Sequence, residues 1–308
     1  MSTISVQFSD CPWTTNGTRD IQFTRPDLLH AAVAVGRNWY FRGVSTAGQA
    51  HNQARIQEIR SIVDLQGRGA ARVTNHYQTV GSTERGKKSF VLGNTICALI
   101  AHKELRIPWL VDLEALPHYY QVATQGNRRA DFIGRTPSRQ HYAFEAKGRS
   151  GDPSVKSLDS WKEQVESVRR VNGKKPEARI VSATFVRQDR VIRSLWQDPP
   201  SNEGEDLEIS EEQFFHAYYR PVLELIGKGD KIEKVEGQDL TVFPELEISV
   251  GVHSFVKEAL NRNDFEGLVK FAASEYDSKP RTEHEMKGEI ELYRESVQVF
   301  PDGIIIRA

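Results

Sequence analysis

Two short runs decide how this chain of 308 residues folds: RADFIGR at residues 129–135 and HYAFEAKG at residues 141–148. Each run has the apolar content of a β-strand, and TPSRQ at 136–140 has the polar and proline content of a turn. The two runs are therefore predicted to form a β-hairpin. Because successive side chains of a strand face opposite ways, Glu145 and Lys147 are expected to share one face of the second strand.

The same alternation places Tyr142 and Phe144 in a hydrophobic core, on the face opposite Glu145 and Lys147. Two charged side chains in the middle of an apolar strand cost free energy unless each has a partner. A metal ion, an opposite charge or a substrate phosphate would serve. Asp131, on the first strand, is predicted to lie beside Glu145 on the second. The hairpin would then bring two carboxylates and one ammonium group together.

This set of groups suits the hydrolysis of a phosphodiester. That reaction needs a cation to polarise the phosphoryl oxygen and acidify the attacking water, and a positive group to stabilise developing negative charge. Mg²⁺ fits because it keeps several waters and usually takes only one or two protein carboxylates. Asp131 and Glu145 are therefore predicted to bind Mg²⁺ (or Mn²⁺). Lys147 is predicted either to orient the water or to stabilise the transition state, and the sequence leaves both roles open.

A Glu-x-Lys triplet alone carries little information, because Glu285-Met286-Lys287 is a second copy in the same chain. What distinguishes residues 145–147 is their context. They lie in an apolar strand with an acidic residue at hairpin distance and a glycine directly after them. A predicted helix at 158–171 and a predicted strand at 178–186 follow. The alternative is an exposed or salt-bridged strand edge without chemistry.

With these residues, the arrangement resembles the PD-(D/E)xK phosphodiesterase superfamily. The resemblance covers about residues 90–188 and implies a restriction-endonuclease-like core of helix, three strands, helix and strand. It implies that Asp131 is the aspartate of the second strand and that Glu145 and Lys147 are the (D/E)xK pair of the third. Gln164, on the following helix, is similar to the glutamine that several branches of the superfamily carry. The resemblance thus adds Gln164 to the predicted catalytic residues.

Members of the superfamily often carry a further glutamate on the first core helix, which is predicted here at 93–104. Asn94 stands at the early position of that helix, and its only glutamate is Glu104, near its end. Glu58, on an amphipathic helix predicted at 46–66, is another candidate. The identity of a fourth acidic ligand therefore stays open between Glu104 and Glu58.

The composition, with 38% hydrophobic and 27% charged residues, is that of a globular protein. The predicted fold class is α/β: a restriction-endonuclease-like core, with a mixed sheet flanked by helices, and additional N-terminal helical and C-terminal α+β segments. The predicted domains are a partly helical extension at 1–88, the nuclease-like core at 89–196 and an acidic α+β segment at 197–308. A polar, basic linker at 83–88 is predicted to precede the core.

The charge of the chain is unevenly distributed. Residues 126–190 hold 15 Lys and Arg against 8 Asp and Glu, a net charge of +7, whereas residues 201–308 hold 12 against 24, a net charge of −12. A basic segment suits a polyanionic substrate, and Arg149, Lys174 and Lys175 are predicted to contact DNA. The acidic segment could face away from DNA, bind a partner or cover the basic surface. The alternative is ordinary solvated faces.

No stretch approaches the roughly 18 apolar residues that a membrane span needs, and the N-terminal residues lack the pattern of a secretion signal. A cytoplasmic protein without a membrane partner is therefore expected. Cys11 and Cys97 form no zinc pattern. The predicted function is a Mg²⁺-dependent endodeoxyribonuclease, with DNA favoured over RNA as substrate.

The resemblance implies a setting in bacterial restriction or anti-phage defence. It also implies a possible homodimer. The acidic segment suggests a further possibility, in which the chain is inactive alone and needs a helicase-like or sensor partner subunit to become an active nuclease. The alternative function is a non-cleaving adaptor that binds nucleic acid or protein with the same fold.

Overall fold

The computed structural model describes residues 1–35, 45–65, 67–116, 129–199, 204–227, 231–278 and 297–308. Within these residues the protein is mixed α/β, with a large mixed sheet flanked by helices. No helix in the described ranges is long and apolar enough to cross a membrane.

The described helices are α1 (Arg25–Ala34), α2 (Ser45–Ile62), α3 (Asn75–Thr79), α4 (Ser82–Leu105), α5 (Val155–Glu166), α6 (Glu211–Ile226), α7 (Ser254–Arg262) and α8 (Phe265–Ser278). The strands of the first two thirds of the chain are β1 (Ser2–Ser9), β2 (Gly17–Phe23), β3 (Gly69–Ala70), β4 (Trp109–Asp112), β5 (Phe132–Arg135), β6 (His141–Arg149), β7 (Val168–Val171), β8 (Ala178–Val186) and β9 (Ile192–Gln197). The remaining strands are β10 (Glu205–Leu207), β11 (Lys231–Val235), β12 (Gln238–Phe243), β13 (Ile248–Val252), β14 (Val297–Val299) and β15 (Ile304–Arg307).

An eight-stranded sheet forms the centre of the described chain, in the order β2-β1-β9-β8-β6-β5-β4, with β3 beside β1. Strands β4, β5 and β6 are antiparallel neighbours, and α5 then carries the chain to β8, which runs parallel to β6. The predicted hairpin is present as β5 and β6. Helix α4, three antiparallel strands, helix α5 and a parallel strand thus follow one another, with the short β7 lying outside the sheet beside β10.

Helix α4 corrects the predicted linker at 83–88. The helix already begins at Ser82, so the polar residues form its first turns. Lys88 is buried in this helix, where its ammonium donates to Ser61 Oγ at 3.2 Å and lies 3.7 Å from Glu84. Glu84 in the first turn also favours the helix, because the helix dipole is positive there. Polar composition indicated a linker, whereas Lys88 is anchored in a helix by Ser61 of α2 and by Glu84 one turn earlier.

The predicted helix at 158–171 is also shorter in the structure, since α5 ends at Glu166. The next residues form β7, whose outer valines Val168 and Val171 are buried while the two arginines between them are exposed. β-branched residues favour strands. The spacing of Val168 and Val171, three positions apart, is equally compatible with one face of a helix.

Helices cover both faces of β6 near its end. A Cβ at Gly148 would lie 1.6 Å from the Ser89 carbonyl oxygen, so α4 packs closely on the face that includes Phe144. On the opposite face, Arg149 Nη1 donates to Ser157 Oγ of α5 at 3.3 Å. The face of Glu145 was expected to lie away from the core, but Glu145 is completely buried. This correction follows from the central position of β6 in the sheet.

The N-terminal strands belong to the same sheet as β6. Strand β1 runs parallel to β9, with Ser5 in register with Arg193, and β2 completes that edge. At the opposite edge, α6 packs against β4, where Trp109 Nε1 donates to Tyr219 Oη at 3.0 Å. A second sheet, in the order β11-β12-β13-β15-β14, forms the rest of the described C-terminal part.

A buried polar group joins this C-terminal part to the N-terminal helix. Asp302, in the turn between β14 and β15, lies with its Oδ2 2.7 Å from His30 Nε2 of α1. Tyr218 donates its hydroxyl hydrogen to the same carboxylate, and Tyr219 donates to the Asp302 carbonyl oxygen at 2.6 Å. Burial raises the pKa of Asp302, but His30 and Tyr218 outweigh it and hold the pKa below its ordinary value. The acidic C-terminal segment is therefore packed into the protein through its buried residues.

Candidate active site

The backbone of the β5–β6 hairpin positions Asp131. Asp131 was predicted to lie within the first strand of the hairpin. In the structure it directly precedes that strand, β5. Its N–H donates to the Phe144 carbonyl oxygen at 2.8 Å, and its Oδ2 accepts the Ala146 N–H at 2.9 Å. Asp131 therefore bonds to the residues on both sides of Glu145, and its carboxylate is held next to that side chain.

Lys147 joins the two carboxylates. Its ammonium lies 3.3 Å from Asp131 Oδ2 and contacts Glu145 Oε1. Glu145 is fully buried, whereas the side chains of Asp131 and Lys147 are 19% and 26% exposed. The three side chains thus form a partly open cluster with Glu145 at its base, and the structure brings together the residues predicted from the hairpin.

The cluster changes the acidity of its members. Burial, and then the neighbouring charge of Asp131, raise the pKa of Glu145 to about 8, although Lys147 opposes the rise. Burial lowers the pKa of Lys147, but Asp131 and Glu145 together raise it above its ordinary value. At neutral pH Glu145 therefore holds its proton in the absence of a further cation, and Lys147 stays charged.

The donor atoms fit a hard divalent cation. Oε2 of Glu145 has no hydrogen-bond partner in the described part of the chain, Oε1 contacts the Lys147 ammonium, and Asp131 uses Oδ2 for the bonds given above. Two adjacent carboxylates with spare oxygens match Mg²⁺, which completes its shell with water. No three His, Cys, Asp or Glu side chains in the described ranges come together in a group that could hold a metal. The chain would thus supply two ligands, and a cation would have to displace the Lys147 ammonium.

Gln164 lies on α5, whose N-cap Ser154 accepts the Ser157 N–H at 3.2 Å. The helix buries Trp161 and Val165, and Gln164 is half-buried beside them. Within the described residues it makes no hydrogen bond to the cluster of Asp131, Glu145 and Lys147. Its catalytic role stays a prediction.

The candidates for a fourth acidic ligand lie elsewhere. Glu104 is ion-paired with Arg19 of β2 at 2.9 Å. It is also about 16 Å along α4 from Gly93, the point at which the helix touches β6. Glu58 is half-buried on α2, which packs against α1, α4 and α6. Asn94, next to Gly93, is buried, and its side-chain oxygen has no hydrogen-bond partner among the described residues.

The three residues predicted to contact DNA are separated in the structure. Arg149 is exposed two positions beyond Lys147, with its Cζ 5.7 Å from the Trp161 ring centroid. Lys174 and Lys175 are exposed in the turn after β7, near the first residue of β6, His141. Burial, with Arg135 and then Lys174 contributing, lowers the pKa of His141 to about 4.

From His141 to Lys147, strand β6 extends about 20 Å. Of the three predicted residues, Arg149 alone therefore lies at the same end of the sheet as Lys147. Two further arginines at that end, Arg187 and Arg193, were not singled out from the sequence. The QD turn between β8 and β9 could have indicated their position, because a hairpin register follows from its turn.

Comparisons of the chain with protein-family models, with curated proteins and with solved structures gave no match.

Proposed function

We propose that this protein is a metal-dependent nuclease of the PD-(D/E)xK type that hydrolyses DNA phosphodiester bonds. The observation that carries the proposal is the contact of Lys147 with both Asp131 and Glu145 at one end of a hairpin. The order of α4, the three antiparallel strands β4 to β6, α5 and the parallel β8 also supports it, because the resemblance implies the same order.

The proposed ligands are Asp131 and Glu145. Bound Mg²⁺ or Mn²⁺ would supply a Lewis acid for the phosphoryl oxygen and lower the pKa of water. Glu145 must lose its proton to become a ligand, and its position at the base of the cluster keeps that carboxylate in one place. Asp131 is oriented by the Ala146 N–H, so one of its oxygens is fixed and the other is available.

Lys147 acts as a charged hydrogen-bond donor in this proposal. Its raised pKa in the free protein argues against a neutral lysine that accepts a proton from water. An ammonium that leaves the two carboxylates can donate to a phosphoryl oxygen and stabilise negative charge there. The position of Lys147 at the more exposed side of the cluster allows this movement.

The wider setting follows the resemblance. Cleavage of foreign DNA in the cytoplasm, as in bacterial restriction or anti-phage defence, would suit such a nuclease. A homodimer would place one site on each DNA strand, and a helicase-like or sensor subunit is an alternative partner.

Incubation with DNA tests the proposal. Purified wild type and Lys147→Ala are mixed with supercoiled, linear and single-stranded DNA in Mg²⁺, Mn²⁺ or EDTA. The expected result is metal-dependent cutting by the wild type that the variant loses while it keeps its fold. Equal cutting by both proteins would show that Lys147 has no part in the reaction.

The second candidate is a non-cleaving adaptor that binds nucleic acid or protein. One observation favours it: the described site has two carboxylates, and Lys147 already contacts both of them. Calorimetry separates the candidates. Mn²⁺ binding that Asp131→Ala abolishes favours the nuclease, whereas a wild type that binds no Mn²⁺ favours the adaptor.

A further inference from the structure

Phe185 on β8 lies between two arginines. It is in register with Arg149 on β6 and with Arg193 on β9. Side chains in register on neighbouring strands share a face of the sheet. Arg187, two residues after Phe185, lies on the same face, and its Cζ is 5.7 Å from the Phe185 ring centroid. Arg149, Arg187 and Arg193 together form what is called here the arginine row.

The arginine row begins beside the candidate active site. Lys147 and Arg149 are alternate residues on one face of β6, about 7 Å apart along the strand. From Arg149 to Arg193 the row crosses two strand spacings, or about 10 Å. Ser5 of β1 is next in register, and it is only half-buried. A charged line therefore leads from the candidate active site across the sheet.

The guanidinium groups are available to a ligand. Arg149 has no carboxylate partner in the described part of the chain and contacts Ser157 Oγ. Arg187 pairs with Asp152 at 2.8 Å and Arg193 with Asp189, and both carboxylates are about half exposed. The Arg187 ion pair is exposed on both sides and contributes little to stability, so phosphate oxygens can replace Asp152 at small cost. Arg193 is held more firmly, because its side chain is only 25% exposed and two of its nitrogens donate to Asp189. A phosphate at Arg193 would therefore compete with this pair.

We propose that the arginine row binds the phosphodiester backbone of DNA and leads it to Lys147, an inference that rests on the proposed nuclease function. Guanidinium groups suit this role because their planar donors match phosphate oxygens and keep their charge at every physiological pH. Lys174 and Lys175, at the far end of β6, lie outside this surface. Their removal therefore serves as a control that changes charge without touching the row.

The test is fluorescence anisotropy of the full chain with a short fluorescein-labelled DNA duplex, in EDTA and over a series of salt concentrations. Arg149→Gln, Arg187→Gln and Arg193→Gln should each weaken binding about threefold to tenfold and reduce the salt slope of binding by about 1. The double variant Lys174→Gln/Lys175→Gln, which removes two charges away from the row, should weaken binding less than any of the three arginine variants. Thermal unfolding of each variant checks that the fold is kept.

A substitution that is expected to strengthen DNA binding distinguishes a direct effect on binding from a loss of structure. Asp152→Asn frees Arg187 and removes a negative charge beside the row, so it should tighten DNA binding although it breaks an ion pair. If Asp152→Asn leaves DNA binding unchanged and the arginine variants keep the salt slope of the wild type, the proposal that the arginine row binds DNA is wrong. RNA of the same sequence is the parallel probe, and binding of RNA without DNA would overturn the DNA assignment.

Cleavage assays on the same proteins distinguish failure of the arginine-row proposal from failure of the proposed nuclease function. Arginine variants that bind and cut like the wild type would contradict the row and leave the nuclease standing. A wild type that binds DNA through the row but does not cut it in either Mg²⁺ or Mn²⁺ would contradict the proposed nuclease function. The proposed role of the row in binding would then still stand.

Discussion

Asp131 is bonded to the backbone on both sides of Glu145, through its N–H to Phe144 and through its carboxylate to the N–H of Ala146. Two carboxylates are thereby kept together even though their charges repel. Lys147 and the proton on Glu145 offset that repulsion in the free protein. The stability and cation affinity of this site should therefore both depend on pH.

The contribution of Glu145 to the free energy of unfolding should fall as the pH rises from the ordinary glutamate pKa of 4.5 to about 8. In that window folded Glu145 holds a proton that the unfolded chain has lost, so each pH unit costs at most about 1.4 kcal/mol. Below 4.5 and above about 8 this contribution should be constant. Urea unfolding of the wild type and of Glu145→Gln across the window measures it as a difference, because the lowered pKa of His141 acts in the opposite direction between about 4 and 6.5.

Glu145→Gln should remove this pH dependence, because the amide stays neutral at every pH. Glu104→Gln is the matched control, since Glu104 is ion-paired on α4 away from the site. An unchanged pH slope in Glu145→Gln would show that Glu145 is ionised throughout the window.

Mn²⁺ affinity should increase with pH by up to about tenfold per unit below a pH of about 8 and then level off. The cause is competition between the cation and the proton on Glu145. Calorimetry in buffers of different ionisation enthalpy should show the release of about one proton per cation at neutral pH. Affinity that is independent of pH, without proton release, would rule out Glu145 as a ligand.

Gly148→Ala should destabilise the protein by about 1–3 kcal/mol or more, because the new Cβ would overlap the Ser89 carbonyl oxygen. To relieve this overlap α4 must move away from β6, next to Lys147, so DNA cleavage should fall as well. Gly151→Ala, where a Cβ meets nothing within 4 Å, is the control. Chemical denaturation of both variants provides the comparison, and equal stabilities would mean that α4 does not pack closely on β6.

Asp302→Ala should cost roughly 3–5 kcal/mol, because it leaves His30 and Tyr218 buried without their carboxylate partner. Asp206→Ala, which breaks the exposed ion pair with Arg169, should change stability little.

A chain cut before residue 204 should unfold instead of becoming an active nuclease, because it loses the buried contacts of Asp302 with His30. A stable, folded truncation would contradict the packing of the C-terminal segment.

The hairpin and its three charged residues were predictable because their signals are local. A polar turn between two apolar runs sets the pairing of β5 and β6, and strand alternation then puts Glu145 and Lys147 on one face. The burial of Glu145 was not predictable in this way. It depends on neighbours brought in by distant parts of the chain, including β8 and α5.

Other features depended on tertiary partners that composition does not show. The composition around Lys88 indicates a linker, but Lys88 is buried and donates to Ser61 of α2. The position of Lys174 at the far end of β6 follows from the parallel pairing of β6 with β8, and local sequence carries no such information. The contact between His30 and Asp302 joins opposite ends of the chain, beyond the reach of any pattern with a short period.

The most direct test of the nuclease is cleavage of supercoiled DNA in Mn²⁺ by the wild type and by Glu145→Gln. Glutamine keeps the size and neutrality of protonated Glu145 and removes only its ability to become a carboxylate ligand. The account predicts that the variant folds as stably as the wild type at neutral pH, binds DNA equally well and does not cut it. A wild type that cuts no DNA, or a variant that cuts as fast as the wild type, would contradict it.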